Sequence, residues 1–235
     1  MPSSSKTEPI PSSAISLLLF VCPLLLFLII APEIPQSQGY HNFADHRRLL
    51  GVANFWNVIS NVPFVFVGVL GLRAFRDAAS RVLFAGVFLT AFGSGYYHLA
   101  PDDHRLAWDR LPMTLVFMAL LAIVIGEWMG AKWRTRLLAP LIAFGVLSVV
   151  WWVWTGDLRV YAIAQFGPAL LLAPAMYFHA GIRKLWPVVA LYVAAKVAEM
   201  SDVEIYSTLP LSGHTIKHFL AALGTYFIYR WNAAR

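Results

Sequence analysis

Charge is what this sequence holds least of. Asp, Glu, Lys and Arg make up 13% of its 235 residues, against roughly a quarter in soluble domains. With 59% of residues hydrophobic, a soluble core of this size has no way to hide its apolar surface, whereas a bilayer removes the need. Cysteine is nearly absent. The lone Cys22, inside an apolar run, excludes a disulfide framework and a thiolate metal site. There is also no soluble domain, internal repeat or low-complexity tract; only the Ser/Pro-rich residues up to 13 read as a disordered cytoplasmic tail. The net charge of +6 comes from basic residues dispersed between apolar runs. That dispersion argues against nucleic acid as a partner and makes the charge a topology signal.

What is present is a succession of apolar segments, with 14% aromatic residues and nine Trp to serve as interfacial anchors. A spanning helix needs about 20 mostly apolar residues, and eight segments qualify: 14–31, 55–72, 82–100, 110–128, 135–154, 160–179, 185–200 and 213–230. The first has no A-x-A site after it, and Pro32 and Pro35 stand where cleavage would fall, so it reads as a retained helix rather than a signal peptide. With the N-terminus in the cytoplasm, eleven Lys and Arg lie on the cytoplasmic side and seven opposite, which predicts both termini to be cytoplasmic. The connections 32–54, 101–109 and 201–213 then share the far side.

Ionisable groups inside spans are costly and usually mark function. Ser94 and His98 lie four apart in GSGYYHLAPDD, on one helix face, with Gly93 and Gly95 beside them allowing close packing. Asp109 follows eleven residues after His98, at the same membrane depth. His214 and His218 open the last segment in GHTIKH, an i, i+4 pair that suits a metal. Each group alone has an ordinary explanation: a helix-end histidine bound to a loop, an N-cap or Arg110-paired aspartate, a chance HxxxH. Span parity places all five residues on one face. Together they read as a metal-hydrolase site. Three imidazoles leave a zinc ion one open position, and zinc lowers the pKa of bound water to about 7. An Asp outside the ligand set can move the proton, and a Ser can stabilise an oxyanion. A fourth group, Asn54, Asn57, Ser60 and Asn61 in NFWNVISN, forms a polar stripe whose expected role is interhelical hydrogen bonding.

NFWNVISN, GSGYYH with Asp109 eleven residues on, and the closing HTIKH resemble the alkaline ceramidases and their bacterial relatives, a branch of a superfamily of seven-helix membrane hydrolases. The likeness covers roughly residues 40–231. It implies an all-α integral membrane fold, a seven-helix bundle over 55–231, with 14–31 as an additional N-terminal helix and 32–54 as an extracytoplasmic connection. It also implies zinc ligation by His98, His214 and His218, a proton-carrying Asp109, an assisting Ser94, and hydrolysis of the amide that joins a fatty acid to a sphingoid base. The chain departs from eukaryotic members at the calcium site. Their glutamate before FWN is Asn54 here, and YHNFADHRR offers one acid, Asp45, with Asn42 as a carbonyl donor, which leaves Ca2+ in doubt.

Short loops imply a lipid substrate that enters laterally from the bilayer. The compact style and the motif likeness suggest a bacterial inner membrane, and the charge-based orientation puts the site near its periplasmic face. An N-acylated amino-acid lipid would serve the same chemistry as ceramide. The competing reading is a receptor of the progestin and adiponectin type on the same bundle, which retention of Ser94, Asp109 and all three histidines disfavours. A rhomboid-type serine protease is disfavoured because Phe92 stands where G-x-S-G requires its first glycine.

Overall fold

The computed structural model describes residues 12–235, so the tail expected over 1–13 lies outside the described residues except for its last two. The helices, in chain order, are α1 (Ser12–Ile30), α2 (Phe55–Ile59), α3 (Val62–Ala74), α4 (Ala78–Leu99), α5 (Asp103–Met129), α6 (Ala131–Thr155), α7 (Arg159–Phe178), α8 (Ala180–Arg183), α9 (Trp186–Met200), α10 (Asp202–Thr208) and α11 (Gly213–Ala233). Among the described residues there is no strand, only two isolated bridges. Each of the eight apolar segments coincides with helix. Five of these passages, Phe55–Ala74, Ala78–Leu99, Asp103–Met129, Ala131–Thr155 and Arg159–Phe178, are long and apolar enough to cross a membrane. The chain is therefore a multi-pass helical membrane protein, with five passages meeting the length and hydropathy that crossing requires. Of the others, α9 has 15 residues, and α11 carries Lys217 and Arg230.

Side-chain caps set several starts. Asp77, Asp102 and Ser212 each accept from the backbone N–H three residues on, opening α4, α5 and α11. The fourth segment thus begins at Asp103 rather than 110, which puts Asp109 inside the helix and gives the capping role to Asp102. The second segment is broken rather than continuous. Pro63, without an N–H, follows the break. There the Asn61 amide donates to the carbonyls of Asn57 and Val58, which satisfies backbone acceptors that the break would otherwise leave to the bilayer.

α4 and α5 form the centre. α4 packs on α3 and α5; α5 packs on α6 and α7; and α11 lies against α9 and α3. Leu83, Phe84, Ala119, Ile123 and Ala175 are fully or nearly fully buried between them. Close approach needs glycine at specific points. A Cβ on Gly93 would collide with the Trp108 carbonyl, and one on Gly213 with that of Ala198. Gly95, expected to serve packing as well, faces no such neighbour. Phe66, Leu147, Val150, Val153 and Trp154 point outward, far more apolar surface than water tolerates. α1 packs on α7, where the Arg159 guanidinium donates to the Ala31 and Leu28 carbonyls at the α1 C-terminus.

Candidate metal centre

The end of one helix and the start of another bring the three histidines together. His98 lies in the last turn of α4. His214 and His218 occupy the first turns of α11, held by the Ser212 cap and by the tight seat of Gly213 against α9. All three are buried, and their ring centroids lie 4.9 Å from one another. One ligand nitrogen from each falls within 4.8 Å of the others. His98 Nε2 and His214 Nε2 approach to 3.3 Å. Two ligands about 2.0–2.1 Å from a tetrahedral zinc stand about 3.4 Å apart, so this pair already has the spacing of one edge of such a site. The donor set, imidazoles without thiolate, suits zinc among other divalent transition metals.

The polar stripe of the second segment supports the cluster from behind. Ser60 Oγ lies 2.7 Å from His218 Nδ1 and donates to the Asn57 carbonyl at 3.2 Å. A hydroxyl that donates to that carbonyl accepts from Nδ1–H, and this assigned tautomer leaves the His218 Nε2 lone pair for a metal. Asn57 accepts from Thr215 on α11 and donates to the Asp45 carbonyl. Asn54, in a left-handed backbone conformation, donates to the His98 carbonyl at 2.8 Å.

Several residues that sequence reasoning did not single out close the site. Phe43 lies 4.7 Å from the His98 ring and 4.3 Å from the His214 ring and is itself buried, so the 32–54 connection folds down over the cluster. Asp202 accepts from His214 N at 2.7 Å and from Ala44 N at 2.8 Å, tying that connection to α11. Glu199 gathers Lys217 at 2.7 Å, Lys196, and the Tyr40 hydroxyl at 3.2 Å. No local pattern announces these contacts; Glu199 and Lys217 are 18 residues apart.

A cavity of about 460 Å³ opens beside the cluster. His218, Ser94 and Asp109 line its polar end; Phe117, Leu120, Leu172, Val188 and Ile228 line its apolar depth. The Ser94 hydroxyl sits beside the Asp109 carboxylate, and both residues are buried. Parity thus does bring the five expected residues to one end of the bundle. Three form the histidine cluster and two form the adjoining wall.

The residues at the family's calcium position are differently employed. Arg47 takes both carboxylate oxygens of Asp45, with Nε donating at 2.9 Å to Oδ1 and Nη2 pairing with Oδ2. Burial raises the Asp45 carboxyl, but these bonds outweigh it and hold the group below the usual carboxylate range. Asn54 faces the His98 carbonyl instead. These residues do not fit a calcium site without displacing the guanidinium.

The fold and the cluster define a class, a helical membrane protein with a buried three-histidine centre at one end of an amphipathic cavity. Residues 44–186, more than half of the chain, match the model of the family described as Ceramidase, and the chain belongs to that family. Comparison with curated proteins gives no match. The matched stretch includes Ser94, His98 and Asp109 and ends before His214 and His218, which join the cluster only in the folded chain.

Proposed function

We propose that the chain is a zinc-dependent hydrolase of the amide bond in ceramide or a related N-acyl lipid. The observation that carries this reading is the three-histidine cluster at the polar end of a cavity whose remaining wall is apolar, in a chain of the ceramidase family. His98, His214 and His218 would hold the metal, which when bound supplies a Lewis acid and an activated water. The apolar depth takes the acyl chain, its volume falling in the 300–1,000 Å³ range of small-molecule sites. Asp109 accepts a proton from water as the water oxygen bonds to the carbonyl carbon. It then returns that proton to the nitrogen as the C–N bond breaks, releasing a fatty acid and an amine. Ser94, beside Asp109, offers its hydroxyl to the carbonyl oxygen as negative charge develops there.

In this reading the bundle has seven helical passages with α1 added. The substrate enters laterally from the bilayer, and the site faces the periplasmic side of a bacterial inner membrane. Incubation of the purified protein with a panel of N-acyl lipids, with released fatty acid measured by mass spectrometry, tests the reaction. Elemental analysis of the same preparation tests the metal. Turnover together with stoichiometric zinc is expected. Lipid binding without any release of fatty acid would replace the hydrolase with a receptor.

A further inference from the structure

We propose that Arg110 binds an oxyanion on the amine half of the substrate, so that the preferred substrate is an amide lipid bearing a carboxylate or phosphate there rather than a neutral ceramide. This rests on the amide-hydrolase reading above and specifies its substrate class. Arg110 is 7% exposed and lines the cavity, one residue after Asp109 on α5. Its guanidinium lies over the rings of Trp152 at 4.1 Å and Tyr161 at 4.6 Å. Two aromatic faces fix the guanidinium plane while leaving its N–H edge free for planar recognition. Nη2 donates to Gln36 Oε1 at 2.6 Å, a neutral amide. Among the described residues Nη1 has no hydrogen-bond partner. A buried cation with an open donor is costly unless something completes it, and among the described residues no carboxylate bonds the guanidinium, Asp109 acting on it only through space.

The wider charge balance points the same way. Arg110, Lys196 and Lys217 face the cavity against only Asp109 and Glu199, and Glu199 is already bound to both lysines. A divalent metal on the three histidines would add further positive charge. The cavity end that receives the amine half is therefore electropositive, while its apolar depth accepts a neutral chain. Carboxylate and phosphate meet an Arg edge through the same charge-assisted hydrogen bonds.

The test compares N-oleoylglycine (carboxylate) and ceramide 1-phosphate (phosphate) with the neutral N-oleoylethanolamine and ceramide, on the purified full chain. The expected result is a KM for at least one anionic member about tenfold or more below that of its neutral counterpart. Arg110→Gln is expected to remove that preference mainly through KM, and Arg110→Lys to restore part of it. Equal kinetics for both members of each pair in the wild type, or a preference unchanged in Arg110→Gln, would overturn the proposal. Should that variant fail to fold, binding to wild-type protein decides, read from the fluorescence of Trp152 and its neighbours. Tighter binding of N-oleoylglycine than of N-oleoylethanolamine supports Arg110 recognition, and equal binding overturns it. The same binding comparison on metal-stripped protein separates the two claims. If no lipid is cleaved, the hydrolase reading fails while the binding preference still decides the role of Arg110.

Discussion

The two ends of the bundle use similar residues to opposite effect. At the end away from the histidines, Asp77 pairs with Arg134 and Glu127 with Arg235, and all four side chains are partly exposed. Asn232 donates to Ser80 Oγ at 2.8 Å and Trp231 Nε1 to the Gly181 carbonyl at 2.9 Å. Those polar groups satisfy one another and tie α4, α5, α6 and α11 together. At the histidine end, the imidazoles converge beneath Phe43, the nitrogens of His98 and His214 face each other, and Arg110 keeps an open N–H. Polar groups left incomplete in a buried place cost stability, and a fold retains them where a ligand completes them. The difference separates a fastening from a site.

The largest effect is expected at the cluster. His218→Ala is expected to abolish zinc binding by elemental analysis and to lower amide hydrolysis by about 10³-fold or more; a variant that keeps both metal and turnover would reduce the histidine end to another fastening. Asp109→Asn comes next. It should keep zinc and the fold while kcat falls by about 10²–10⁴-fold, and full activity would remove Asp109 from proton transfer. Ser60→Ala takes the acceptor from His218 Nδ1, so zinc affinity measured by chelator competition should weaken by about 10–100-fold. The smallest effect belongs to the far end. Arg235→Ala breaks a partly exposed pair and should change stability by less than about 1 kcal/mol, with hydrolysis unaltered and a thermal midpoint in detergent nearly unmoved. A large loss of activity there would mean that the two ends are coupled.

Much of this is legible in the sequence. The apolar runs mark every long helix, all but α5 within a few residues, because a bilayer demands about 20 apolar residues whatever the packing. The main difference is the start of α5, which the polar stretch 103–109 points to at 110. The helix continues through that stretch, capped by Asp102. The break between α2 and α3 was also missed, since an apolar window is insensitive to a local turn that Asn61 repairs. At the site, parity could predict that His98, Asp109 and His214 share an end. It could not predict that Phe43 would cover them or that Asp202 would tie the covering loop to α11. The tie from Ala44 to Asp202 joins residues 158 apart in the chain, through a loop with no period to read.

Composition and periodicity alone determined that this is a multi-pass helical membrane protein and which polar residues end up at one face. Both follow from the solvent: the bilayer permits few charges and forces the chain back and forth at fixed length. The tertiary structure decided which of those polar residues meet. It paired Asp45 with Arg47, in place of a cation site, and brought the three imidazoles to metal-ligand spacing. It also left Arg110 between two aromatic rings with one donor open. The last two depend on side-chain contacts between distant segments, and no local pattern records them.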